Sequence, residues 1–126
     1  GAGVQPASLT PVAASSGASP LVAPSSPPRP LVKIRFDRPD VAYEQPVYLA
    51  VIEALERFPS ARFELVAVHP STGNAAQVAI ESTRARRSAE RVLRTMTEMG
   101  MPTERVDLSY TPSPEARSSE VHLYIR

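Results

Sequence analysis

The sequence predicts an α/β two-layer sandwich of the α+β kind, with two helices packed on one face of a four-stranded mixed sheet in the order βαβαββ. Three observations carry that prediction. Residues 1–30 hold half of the fourteen prolines and a single charge, Arg29, and periodic apolar spacing begins only at Leu31. Three of the four apolar stretches short enough to be strands alternate clearly between apolar and polar, so one sheet face is apolar. Two longer stretches each carry one apolar stripe at helical spacing. Right-handed crossovers put both helices on the same side of the sheet.

Residues 1–30 are expected to be a flexible, locally polyproline-like linker, and residues 31–126 the folded domain. Proline removes backbone donors, and Ala, Ser and Gly offer little surface to bury, so the linker cannot offset its ordering entropy. In "LVKIRF", Val32, Ile34 and Phe36 alternate with Lys33 and Arg35, which predicts a half-buried strand. Pro39 makes "DRPDVAYEQ" a loop, and Pro46 suits a first helical position. The following helix places Val47, Val51, Leu55 and Phe58 on one face and ends at Pro59. "RFELVAV" is a second strand with Phe63, Leu65 and Ala67 facing one way, and "HPSTGNAA" reads as loop.

A long helix is expected from Gln77 to Met99, with Val78, Ala85, Ala89, Val92, Met96 and Met99 on the core face. Gly100 suits the position just past its end, and Pro102 prevents continuation. "RVDLSY" is a third strand in which Val106, Leu108 and Tyr110 alternate with Arg105, Asp107 and Ser109, "TPSPEARSS" is loop, and "EVHLYIR" is a fourth strand burying Val121, Leu123 and Ile125.

Bulk properties exclude several function classes. A net charge of +1 argues against a general nucleic-acid or membrane-surface binder. The four tyrosines are scattered and offer no stacking platform for single strands. Without cysteine there is no disulfide, thiolate metal site or thiol nucleophile. No apolar run spans a bilayer, so no direct membrane insertion is expected. The start, "GAGVQPASL", has neither a basic n-region nor an apolar h-region, and its lack of Met predicts a mature or trimmed piece. His69 and His122 have no clustered acid or thiol beside them, which makes a weak metal case. Ser71, Ser82 and Ser88 have no recognisable base with an orienting acid. Ser71 and Thr72 before Gly73-Asn74 read as turn chemistry; a phosphate-cradling loop needs more glycine and a lysine. Neither an enzyme activity nor a cofactor is expected.

Residues 31–126 resemble the OmpA-like periplasmic domain, shared with peptidoglycan-associated lipoproteins and flagellar stator subunits. "IRFDRPDVAYEQPVYLAVIEALERFP" resembles the family's opening: a strand ending in Phe-Asp, a loop, a periodic helix, then Pro. The strongest similarity is "SAERVLRTMTEMGMPTERVDLSY", where Ala89, Val92, Met96, Gly100, Met101, Pro102 and Val106 fill the family's spaced positions. The resemblance implies a non-enzymatic module of the bacterial periplasm, tethered to a membrane through a more N-terminal part and often holding peptidoglycan. In the family, an Asp in a Gly-His-Thr-Asp-like loop and the Arg of an Arg-Ala pair grip the wall peptide's diaminopimelate. Here the arginine position falls on Ser88, the loop "VHPSTGNAAQ" has no acid between His69 and Gln77, and the family's terminal Asn-Arg-Arg reads Ser118-Ser119-Glu120. The expectation is therefore an envelope scaffold that docks a protein partner in a membrane-associated complex. The alternative is a peptidoglycan anchor with a pocket rebuilt from Arg84, Arg87 and Arg91.

Arg84, Arg87, Arg91 and Arg94 form a stripe within about 80° of arc by helical geometry, expected opposite the core face. Two readings stand: a solvated face partly paired to Glu90 and Glu98, or a surface that binds anions or acidic patches. The candidate binding set is Arg84, Arg87, Ser88 and Arg91 on the helix, with His69, Ser71 and Asn74 in the loop before it.

Overall fold

The computed structural model describes residues 29–126, so the linker expected over residues 1–30 lies outside the described residues except for its last two positions. The expected architecture is present. Strands β1 (Val32–Arg35), β2 (Phe63–Pro70), β3 (Val106–Ser113) and β4 (Glu120–Ile125) form one sheet, and helices α1 (Glu44–Arg57) and α2 (Ala75–Glu98) pack on one face. The spatial order is β1-β4-β2-β3. The last strand inserts between the first two, antiparallel to both, while β2 and β3 run parallel.

Helix α1 begins two residues before the expected start. Pro46 is its third residue, still within the first turn, where backbone N–H groups have no intrahelical partner and a missing donor costs nothing. Its buried stripe is Val47, Val51 and Ala54 rather than Val47, Val51, Leu55 and Phe58. Leu55 is only partly buried, and Phe58 has already left helical phase, with φ −134° at the C-cap, so its ring is 57% exposed.

Strand β2 buries Phe63, Leu65 and Ala67 as expected, but it continues through His69 and Pro70, which the sequence reads as loop. The extension pairs with Pro112 and Ser113, two residues also expected in a loop. Both prolines sit at strand ends, and Pro112 is on the edge strand, where a lost donor is tolerated. Of the alternating apolar residues of β3, Val106 and Leu108 are half-buried and Tyr110, midway along this edge strand, is exposed, because α2 packs chiefly on β2.

Helix α2 starts at Ala75, two residues earlier than its periodicity shows, because Asn74 and Gln77 form a reciprocal capping box. The Asn74 side chain accepts from the Gln77 amide at 2.9 Å, and the Gln77 side chain accepts from the Asn74 amide at 3.4 Å. Gly73, at φ +113°, turns the chain into that cap. At the other end Gly100, at φ +99°, donates to Thr97 and Met101 donates to Met96, the paired bonds of a Schellman stop. Ala85, Ala89, Val92 and Met96 are fully buried against Phe63, Leu65, Val121 and Leu123 of the sheet. Val78 and Met99, expected on the same face, are half-buried near the helix ends, and Ile125 is half-buried at the end of β4.

Candidate functional site

The arginine stripe of α2 faces a cleft of about 530 Å³. One wall is α2, which supplies Arg84, Arg87, Ser88 and Arg91. The opposite wall is the turn that leaves β1, from Phe36 to Pro39, and Ser119 just before β4 completes it. Pairing of β1 with β4 positions the second wall: the Phe36 amide donates to the Ser119 carbonyl at 2.9 Å as the ladder ends.

The arginines do not simply point away from the core. Arg91 folds back over two rings, its guanidinium carbon 5.0 Å from the centroid of Tyr43 and 5.6 Å from that of Phe36. Those rings are themselves in tilted contact at 5.6 Å. A guanidinium over aromatic faces is held by their quadrupoles, so Arg91 bridges α2 to the two ends of the β1–α1 connection. Arg84 is paired at 3.2 Å with Glu81, one turn back. The expected pairing to Glu90 and Glu98 does not form among the described residues, where Arg87 has no carboxylate within ion-pair distance. Arg94, the fourth member of the stripe, lies outside the cleft.

Ser88 is 7% exposed and forms part of the cleft's neutral floor together with Ser119, which is also buried. Arg38, Arg84, Arg87 and Arg91 line the cleft together with Asp37. Arg38 is paired with Asp40 at 3.5 Å and Arg84 with Glu81, which leaves Arg87 and Arg91 as the lining guanidinium groups with no carboxylate partner among the described residues. Asp37, Arg38 and Ser119 were not in the binding set expected from the sequence, although Ser119 stands where the resemblance places an arginine. The Phe-Asp that closes β1 was the available signal; that it lies across from α2 depends on sheet order.

The loop candidates do not join this cleft. His69 is buried on the core side of β2, with Nδ1 3.0 Å from the Pro70 carbonyl. The Ser71 amide donates to the Ser113 carbonyl, which fastens β2 to β3, and Asn74 is the cap of α2. A second cleft, of about 480 Å³, adjoins the first at Arg84. Its walls are the N-terminal turns of α2, with Gln77, Ile80 and Glu81, and the β3–β4 connection, with Pro114, Ala116 and Arg117.

No family model matches the chain, and no curated protein matches it in sequence. Among solved structures, the crystal structure of the peptidoglycan-associated lipoprotein from Burkholderia pseudomallei matches with a TM-score of 0.56 at 15% identity, covering 75% of this chain and 89% of that one. The chain thus has the α+β fold of that lipoprotein.

Proposed function

We propose that this chain is a non-enzymatic scaffold module of the bacterial cell envelope that docks a protein partner through the arginine-lined cleft. The envelope setting rests on the likeness of fold to a peptidoglycan-associated lipoprotein. No described helix is long and apolar enough to cross a membrane. The observation that carries the docking role is the charge of the cleft: four guanidinium groups line it, and Arg87 and Arg91 have no carboxylate partner among the described residues, over a floor of buried serines. Guanidinium forks bind carboxylates bidentately, so the complementary surface is rich in Asp and Glu.

A second reading, a peptidoglycan anchor with a rebuilt pocket, is favoured by Asp37. It lines the same cleft as Arg84, Arg87 and Arg91, and so offers an acceptor for an ammonium beside forks for a carboxylate. A zwitterionic amino-acid end needs both. The excess of positive charge favours the first reading.

Sedimentation with purified peptidoglycan sacculi separates the two. Docking predicts that the protein stays in the supernatant. It also predicts that a photo-crosslinker at position 87 forms a discrete adduct in envelope extracts, at an acidic segment of one protein, that is lost in Arg84→Glu. Pelleting with sacculi that is abolished by both Asp37→Asn and Arg87→Ala would replace docking with wall anchoring.

A further inference from the structure

Resting on the docking reading, we infer that the partner enters as an extended acidic segment spanning both clefts, with carboxylates at alternate residues. The two clefts lie side by side and share Arg84, which lines both. Together they follow α2 from Gln77 to Arg91, a length of about 21 Å at the helical rise. An extended chain covers that distance in about six residues. The groove is bounded on one side by α2 and on the other by the Phe36–Pro39 turn and the β3–β4 connection, with Pro70 and Thr72 closing the second cleft at the start of α2.

The charge pattern selects the side chains. Along α2 the axial rise is about 4.5 Å from Arg84 to Arg87 and about 6 Å from Arg87 to Arg91. On an extended chain, every second side chain points the same way, about 6.6 Å apart. An arginine stem is long enough to absorb the difference, so an acid on Arg87 places its alternate neighbours at Arg91, whose guanidinium lies over the two rings, and at Arg84, where the acid competes with Glu81. Arg117 adds a positive charge on the opposite wall of the second cleft, where Glu81 is engaged by Arg84. A single amino-acid end would occupy only the first cleft and leave Arg117 without a role.

The test is an amide-shift titration of the whole chain with a capped peptide alternating glutamate and alanine and carrying four glutamates. Saturable shifts are expected along both clefts, at residues around Arg87 and around Arg117. Arg87→Ala and Arg117→Ala should each weaken binding about three- to fivefold, the effect of losing one exposed charge pair. Arg94→Ala, outside both clefts, should leave affinity unchanged, and a peptide with one glutamate should bind at least tenfold more weakly. Shifts confined to the first cleft, with Arg117→Ala silent, would overturn the spanning segment while leaving docking intact. Equal losses in Arg94→Ala and Arg117→Ala would reduce the groove to general charge attraction and overturn it too. No peptide binding overturns the inference; if the protein then pellets with sacculi, the docking reading fails with it.

Discussion

Replacing Arg91 should destabilise the domain although its side chain is exposed. Its guanidinium lies over Tyr43, which is 7% exposed, and over half-buried Phe36. Tyr43 is the N-cap residue of α1 and Phe36 follows the last residue of β1, so one side chain on α2 closes over both ends of the connection between them. Exposed cation–π contacts contribute about 0.5–1 kcal/mol each, and one guanidinium shared between two rings supports a total near 1 kcal/mol. For a domain of this size that corresponds to a fall in Tm of about 4–8 °C in Arg91→Ala. Thermal unfolding followed by circular dichroism reads the shift, with Arg94→Ala as the exposed comparison and an expected change under about 2 °C. A double-mutant cycle with Tyr43→Leu isolates the contact from helix propensity and should show coupling of about 0.5 kcal/mol. If Arg91→Ala and Arg94→Ala melt together and the cycle shows no coupling, the guanidinium does not hold the loop, and the first cleft loses the contact that shapes its wall.

Three further outcomes are expected. Val92→Asp, at a fully buried position, places an unpaired charge in the core and should cost more than 3 kcal/mol in urea unfolding; a loss no larger than that of Arg91→Ala would mean that α2 faces the other way. Arg105 donates from Nε and Nη2 to the Ala61 carbonyl and from Nη2 to that of Pro59, so Arg105→Ala should lose about 1.5–3 kcal/mol, and Arg105→Lys, lacking the planar fork, should recover less than half of it in the same assay. Free diaminopimelate or a wall tripeptide should bind no better than millimolar, because the chain between His69 and Gln77 carries no acid for the ammonium and Ser88 offers no guanidinium fork for the carboxylate; micromolar saturation of amide shifts around the first cleft would favour the wall-anchor reading instead.

Periodicity and capping act between residues close in sequence, and those features were legible without coordinates. The alternation of Val32, Ile34 and Phe36, the stripe of Ala85, Ala89, Val92 and Met96, and the stop at Gly100 determined the elements and their inward faces. Element ends were less legible. Asn74 reads as a turn residue until Gln77 is seen to return the hydrogen bond, and the final residues of β2 and β3 are strand only because each pairs with the other. Contacts between residues distant in sequence were decided by tertiary structure alone. Arg105 reads as the polar member of an alternating strand, yet it holds carbonyls forty-four and forty-six positions away. The arginine stripe is evident as a helical pattern, but sequence spacing does not record which wall it faces. Insertion of β4 between β1 and β2 sets Ser119 beside the turn that carries Asp37 and Arg38, across from α2. Strand order depends on summed packing of the whole sheet, and no local preference encodes it, so the cleft existed only once the strands had found their neighbours.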